Sequence, residues 1–415
     1  MQRSFRYCLA WLVGVLALVA GVRANQILDW NALMIQSVRL DNSGPNLCAR
    51  NLAIMHTAIF DAVNTVTGTH QPYRFVVPIE GDFSIDAAVA GAAFECVTIL
   101  YPVSEREAKK LFAQNVPSQD AESVRNGLAL GREMARLALR SRENDGISAD
   151  APYIPSKAPG QWRRTPPYFR PPSNPQWRNV TLFALPEKES FLPPPPPALD
   201  SAEYAASLNE VKALGRKTGS TRTPEQTQIA IFWSDFSYTS MPPGHWHQIA
   251  ASICRERNTS LEDTARLFAL LSLAQADAAT VCWEAKFRYN FWRPITAIQR
   301  ADEDNNPATE PDAKWDHLLA APPFPSYVSG HSIFSKASAE ILTRFFGSDN
   351  IAFSAKSDTL PDVVRNFTSF AACADEIGMS RIYGGIHFSF DNLQGKASGQ
   401  RIGEFVFAHC LLAKN

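Results

Sequence analysis

Three short stretches of this 415-residue chain carry side chains suited to chemistry on an anion. The first, SRIYGGIHFSFD at residues 380–391, supplies Arg381, whose planar fork of donors fits a tetrahedral oxyanion. In the same stretch Gly384-Gly385 predict a turn, His387 the start of the last helix, and Asp391 a carboxylate one helical turn on. That spacing lets Asp391 hold one ring nitrogen of His387 and leave the other free as nucleophile or ligand. The second, WEAKFRYNFWRP at 283–294, sets Lys286 and Arg293 seven residues apart, two helical turns, so both cations are expected on one helix face. Phe287, Tyr289, Phe291 and Trp292 are poor company for a solvated basic stripe, and Pro294 puts Arg293 near a helix end. The third, FPSYVSGHSIF at 324–334, feeds Ser329-Gly330 into a helix N-terminus, where free N–H groups and the helix dipole favour an anion. His331 then projects from the first turn as a proton donor or acceptor. Taken singly, these are a surface pair, a basic stripe and a cap. Together they would bind a multiply charged tetrahedral anion, put a nitrogen on it, and place an acid–base group opposite.

The elements that must position these residues are helical. Leu52, Met55, Ile59 and Val63 recur at helical spacing, and further helical patterns run over 86–101, 121–140, 203–217, 224–234, 261–292, 332–346, 362–379 and 387–412. Alternating strand patterns are nearly absent, so the fold class is all-α. Between 151 and 200 prolines are dense and Trp162, Tyr168, Phe169 and Trp177 are interleaved. That composition reads either as a linker or as an extended strap whose aromatics dock on the bundle, and the aromatics favour the strap.

Residues 1–24 read as a secretory signal peptide: Arg3 and Arg6, an apolar run, then Val22-Arg23-Ala24 as a cleavage site. A retained anchor is the weaker alternative, no later segment reads as apolar for long enough to cross a bilayer, and the expected location is secreted or periplasmic. Losing Arg3, Arg6 and Arg23 takes the formal charge from −1 to −4, which gives no global pull toward nucleic acid or anionic lipid. Six cysteines remain after Cys8 is removed, scattered singly, so disulfides are permitted without a readable pairing, and no Cys/His cluster suggests zinc. The sequons at Asn179, Asn258 and Asn366 carry no weight on their own.

Lys-x6-Arg-Pro, then Ser-Gly-His, then Ser-Arg-x5-His-x3-Asp, in that order, resembles the type-2 phosphatidic acid phosphatase superfamily, which contains acid phosphatases and vanadium-dependent haloperoxidases. The fuller resemblance is to the haloperoxidases. ADAATVCWEAKFRYNFWRPITA, PPFPSYVSGHSIF and SRIYGGIHFSFD look like the vanadate-binding segments of the fungal chloroperoxidase type, while RNLAIMHTAIFDAVN and PPPPPALDSAEYAASLNEVKALG look like exported bacterial relatives. The resemblance implies a single helical-bundle domain over 25–415 of the vanadium chloroperoxidase and acid phosphatase type, with a vanadate-binding helical half at 224–412. It implies vanadate as cofactor, with neither haem nor flavin. His387 would coordinate vanadium; Lys286, Arg293, Arg381, Ser329 and Gly330 would hold its oxygens; His331 would be the acid–base group; Asp391 would orient His387. Asp235, in FWSDFSYTSMPPGHWHQIA, is a carboxylate expected behind Arg381. Trp283 and Phe324 stand where the chloroperoxidase type has aromatics near the halide, and Val328 replaces the usual proline before Ser329. The implied substrates are hydrogen peroxide, a halide (chloride or bromide) and an organic acceptor, with phosphate as a competitor of vanadate. The alternative is a phosphomonoesterase using His387 as a phosphohistidine nucleophile. Oligomeric state stays open.

Overall fold

The computed structural model describes residues 25–414; the signal-peptide reading of 1–24 lies outside them. The N-terminal half holds α1 (Gln26–Asp41), α2 (Pro45–Thr67), α3 (Ile85–Leu100), α4 (Glu105–Asn115) and α5 (Glu122–Arg140). After the proline-rich stretch come α6 (Ala202–Leu214), α7 (Pro224–Phe232), α8 (Met241–Arg257), α9 (Leu261–Tyr289) and α10 (Pro294–Gln299). The last part contains α11 (Gly330–Phe346), the antiparallel hairpin of β1 (Phe353–Lys356) and β2 (Val364–Phe367), α12 (Phe370–Tyr383) and α13 (Ser389–His409). The fold is all-α apart from that hairpin.

At the centre lies α9, capped by Ser260 and packed against α2, α11 and α13. It is long and apolar enough to cross a membrane by composition, which corrects the expectation that no later segment would be; nearly all of its apolar window is buried inside the protein. Its burial explains the composition: a helix surrounded on every side is hydrophobic all round.

Against α9, α11 and α13 cross at very short range because α13 carries glycine at 395, 399 and 403, one per turn on one face. A Cβ on Gly399 would lie 2.4 Å from the Ile333 carbonyl, and one on Gly403 2.7 Å from Glu340 Cβ. This approach brings the start of α11 onto the start of α13, where the Ser329 N–H donates to the Asp391 carbonyl at 3.1 Å.

Residues 151–200 run without α-helix across the bundle, with Trp162, Trp177, Phe183, Leu185 and Phe191 buried; Tyr168 and Phe169, also expected to dock, are exposed instead. Asp277 of α9 accepts the backbone N–H groups of Phe183, Ala184 and Leu185 at 2.6–2.8 Å. Farther along, Trp162 N donates to Asn290 O and Trp292 N to Gly160 O, so the strap is stitched to the turn after α9.

Some boundaries differ from the sequence reading. The 362–379 pattern begins with a strand, and the helix starts only at Phe370, because the β1–β2 hairpin takes 364–367 first. The pattern over 261–292 stops at Tyr289, where Asn290 adopts a left-handed φ of 50°. The last helix begins at Ser389 rather than His387, since Phe388 is extended. Periodicity also missed α1, α4, α8 and the short α10. All six described cysteines are free thiols.

Candidate active site

The last two turns of α9 carry Trp283 and Lys286, both buried. With α9 ending at Tyr289, Arg293 does not share a helix face with Lys286. It is the N-cap of α10, with Pro294 at N1, and the turn at 290–292 returns its guanidinium to the neighbourhood of Lys286. The convergence expected from the sequence holds, for a different reason.

Lys286 Nζ donates to the carbonyls of Pro325 (3.0 Å), Ser326 (2.9 Å) and Val328 (2.5 Å). All three ammonium protons are therefore held by the turn before α11, and an anion oxygen must share or replace one of them. Burial pulls the Lys286 ammonium down to about 7, opposed by Cys282 and reinforced by the charge of Arg293. Val328, the departure from proline, is itself buried and supplies one of the three carbonyls.

Arg293 donates from Nε to Phe324 O (2.9 Å) and from Nη1 to Ile386 O (2.7 Å), while its Nη2 is buried without a protein partner. Arg381, in the last turn of α12, donates from Nη1 to Trp233 O at 2.8 Å and leaves Nε buried and unpartnered. Burial lowers both guanidinium groups, Arg293 to about 9 and Arg381 to about 10. Two buried donors without acceptors, on cations already disfavoured by burial, are what an anion site presents when no anion is included.

His387 sits two residues before α13, yet the contact with Asp391 forms: Nδ1 to Oδ2 is 2.7 Å. The same Oδ2 accepts from Ser326 Oγ at 2.5 Å and from Phe388 N at 3.2 Å. Asp391 thereby fixes the proton on Nδ1, which leaves Nε2 unprotonated, and Nε2 accepts from Arg293 Nη1 at 3.0 Å. Burial, then the charges of Arg293, Lys286 and Arg381, hold the His387 imidazolium well below its ordinary range, so the ring is neutral.

Ser329 caps α11, its Oγ accepting from Ser332 N (3.3 Å) and Ser332 Oγ (2.8 Å). A Cβ on Gly330 would meet nothing closer than the Phe334 ring at 3.9 Å. Packing does not require glycine there; its absent side chain leaves the backbone N–H open to approach.

Across the site His331 projects from the first turn of α11, its Nε2 3.4 Å from Asp235 Oδ2 without the alignment of a full hydrogen bond. Asp235 Oδ1 lies 3.4 Å from Nδ1 of a second histidine, His245 of α8. Asp235 does stand near Arg381, on whose guanidinium its charge acts, but its direct partners are two histidines, and Arg381 bonds the carbonyls of neighbouring Trp233 and Ser234. Burial would raise the Asp235 carboxyl, but the histidine contacts outweigh it and hold it well below the usual range. Burial, then the Arg381 charge, lowers His331 to about 4 against the pull of Asp235, so at neutral pH Asp235 is charged and His331 is not.

One cavity of about 230 Å³ joins these groups, lined by Asp235, His331, Arg381, His387, Trp283 and Phe324 among others. The Trp283 and Phe324 rings lie 5.0 Å apart, and Phe324 also lies 5.0 Å from Lys286 Nζ and from Arg293 Cζ. Among the described residues no group of three or more His, Cys, Asp or Glu side chains could hold a bare metal cation. One neutral imidazole nitrogen surrounded by cations and N–H donors suits an oxyanion.

The profile of the VCPO second helical-bundle domain matches residues 266–413, the part that carries every one of these groups except Asp235 and His245. The vanadium chloroperoxidase of Curvularia inaequalis is 24% identical over 488 residues, covering 88% of this chain and 79% of the relative. The crystal structure of the first bacterial vanadium-dependent iodoperoxidase superposes with a TM-score of 0.82 at 27% identity, covering 94% of this chain and 97% of that one. Over residues 266–413 the chain carries the VCPO second helical-bundle domain, and along most of its length it is similar to vanadium-dependent haloperoxidases. A holo-type bacterial vanadium-dependent chloroperoxidase shares the fold, with a TM-score of 0.70 at 17% identity, covering 88% and 93%.

Within this haloperoxidase fold, the contact residues missed in the sequence include Ser326, which donates to Asp391, and His245. The latter lies in the same stretch as Asp235, ten residues on, but no helical spacing relates a loop carboxylate to a helix that begins six residues after it.

Proposed function

We propose that this chain is an exported vanadate-dependent haloperoxidase that uses hydrogen peroxide to oxidise a halide to hypohalous acid, which halogenates an organic acceptor. The observation that carries this reading is the pair of buried, unpartnered donors Arg293 Nη2 and Arg381 Nε beside the unprotonated Nε2 of His387, whose ring Asp391 fixes and whose one protein partner is the Arg293 guanidinium. His387 would hold the metal of vanadate, and Lys286, Arg293, Arg381, Ser329 Oγ and the Gly330 N–H its oxygens. Bound vanadate supplies a Lewis acid that activates peroxide toward halide without changing oxidation state.

The chain's own residues do the rest. His331 is neutral and cavity-facing, so it can take the first proton of peroxide. Asp235 orients that ring and stabilises the imidazolium formed. An anion in the cradle cancels part of the Arg381 charge that holds His331 down, so His331 becomes a better base once the cofactor is bound. Trp283 and Phe324 exclude water from the halide side, where charges are less screened. Residues 25–415 serve as one domain in this reading, and the apolar segment before residue 25 directs the chain to the periplasm or the exterior.

The same His387–Asp391 pair is also arranged as a nucleophile, which favours phosphomonoester hydrolysis as the second reading. One paired assay separates them. Iodide, bromide and chloride oxidation by peroxide is measured with and without added vanadate, beside p-nitrophenyl phosphate hydrolysis without it. The haloperoxidase reading expects vanadate-dependent turnover, fastest with iodide and slowest with chloride. Efficient ester hydrolysis with no vanadate-dependent halide oxidation would overturn it. For the halide, Phe324→His adds a titrating hydrogen-bond partner to an aromatic wall and is expected to lower chloride turnover more than bromide turnover. Equal proportional losses would make Phe324 core and nothing more.

A further inference from the structure

The cavity wall is poor in groups that react with an electrophilic halogen. Among its lining residues are prolines, serines, phenylalanines and an alanine, with no cysteine or tyrosine and a single sulfur, that of Met241. Met241 is the first residue of α8, only 6% exposed, and lines the same cavity as Asp235 and His331. The other described methionines lie elsewhere: Met34, Met55 and Met134 are fully buried in the N-terminal core, and Met379 is half-buried with its sulfur 3.9 Å from Asn392 Nδ2. Competing cavity groups are the Trp283 indole and the two imidazoles, and a polarisable thioether is the softer nucleophile toward a halogen electrophile.

We infer that Met241 is a modification site for the enzyme's own product: hypohalous acid formed in the cavity oxidises its thioether to the sulfoxide and so limits the number of turnovers. This inference rests on the haloperoxidase reading. In the step, a sulfur lone pair attacks the halogen of the hypohalous acid and displaces hydroxide, giving a halosulfonium. Water then adds to sulfur, halide leaves, and of the two protons lost from the added water one neutralises the released hydroxide, leaving one water and one proton overall. The net change is thioether plus hypohalous acid to sulfoxide, halide and a proton. Sulfur loses two electrons and the halogen gains them, so the halide returns for another cycle. The sulfoxide turns an apolar stretch of wall into a polar hydrogen-bond acceptor beside His331 and Asp235, where it competes with peroxide for donors and obstructs halide entry.

The test is peptide mass mapping of the full-length, vanadate-reconstituted protein during turnover with peroxide and bromide, with halogenation of an acceptor followed in parallel. The expected result is one added oxygen at Met241, rising with turnover number and preceding oxidation of Met379. Hypobromite added from bulk to the vanadate-free protein should instead oxidise the more accessible Met379 at least as fast. Met241→Leu keeps the side chain apolar and similar in size, and is expected to complete several-fold more turnovers before losing half its starting rate. Halogenation without oxidation of Met241, or with Met379 oxidised first, overturns the inference while leaving the functional reading intact. Oxidation of Met241 by peroxide without halide, or equal lifetimes for wild type and Met241→Leu, also overturns it. Absence of acceptor halogenation sinks the functional reading, and the inference with it.

Discussion

Two histidines stand two residues apart on α8 and face opposite ways. His247 looks into the N-terminal core, where its Nδ1 and His56 Nε2 lie 2.8 and 3.0 Å from the same Asn31 oxygen and its Nε2 lies 3.3 Å from Ser272 Oγ. His245 looks the other way, onto Asp235 and through it to His331. Both are buried, and in both clusters burial depresses a titration: His247 falls to about 3 and His331 to about 4. Both clusters even contain a ring nitrogen without a protein partner, His56 Nδ1 in one and His245 Nε2 in the other. Depressed pKa and buried orphans therefore do not distinguish a working histidine from a structural one. What distinguishes them is the partner and the space. Asn31 is neutral and does not line the active-site cavity, whereas Asp235 is charged, borders that cavity, and faces a histidine across from three cations.

The comparison breaks most readily at His331. His331→Ala is expected to lower halide-oxidation kcat by about 10²–10⁴-fold, the usual worth of a positioned acid–base group, while inorganic phosphate binds the vanadate-free protein within about tenfold of wild type. Equal losses in both would make His331 part of the cradle instead. His247→Leu should do the reverse. It removes a satisfied buried pair and leaves Asn31 and Ser272 short of partners, costing about 1–3 kcal/mol in urea unfolding, with phosphate affinity unchanged.

The pH dependence of that cost sharpens the contrast. The His247 folded-state pKa of about 3 lies below its unfolded value of about 6.5. The unfolded chain therefore binds the proton first, and the contribution of neutral His247 is complete above about 6.5 and lost as pH falls toward 3. The stability gap between wild type and His247→Leu should narrow over that window. A gap that is flat from pH 7 to 4 would show that His247 is not held neutral.

The smallest expected effect belongs to His245. His245→Ala should slow turnover by about tenfold, through a looser Asp235, with little change in unfolding midpoint, and should shift the acid limb of the rate profile because Asp235 then leans on His331 alone. A uniform loss with an unshifted limb would assign His245 to packing.

Much of the site was legible because its groups lie in three short runs, each of which ends or begins a helix. Ser329 caps where Ser-Gly precedes an apolar run, and His387 and Asp391 meet even though the helix starts two residues late, since Phe388 and Ser389 bridge the gap at the first turn. The route from Lys286 to Arg293 was not legible. Seven residues read as two turns of one helix, and only the left-handed Asn290 and the strap stitched to 290–292 convert that run into a reversal. Helix α8 was missed because Pro242, Pro243 and Gly244 read as a break, although prolines in a first turn cost no hydrogen bond. Helix α4 was missed because it is short and its apolar stripe is only Ala108, Leu111 and Phe112, of which Ala108 alone is fully buried. His245 inherits that blindness: its role depends on where α8 begins and on a loop carboxylate that no periodicity connects to it.

His387, held by Asp391 among Lys286, Arg293 and Arg381, is the proposed vanadium ligand. Vanadium content after reconstitution and exhaustive dialysis tests that role directly, in wild type and in His387→Ala, with helical circular dichroism confirming that both are folded. The account predicts about one vanadium per wild-type chain, displaced by excess phosphate, and almost none in the variant. Stoichiometric, tightly held vanadium in folded His387→Ala would contradict it.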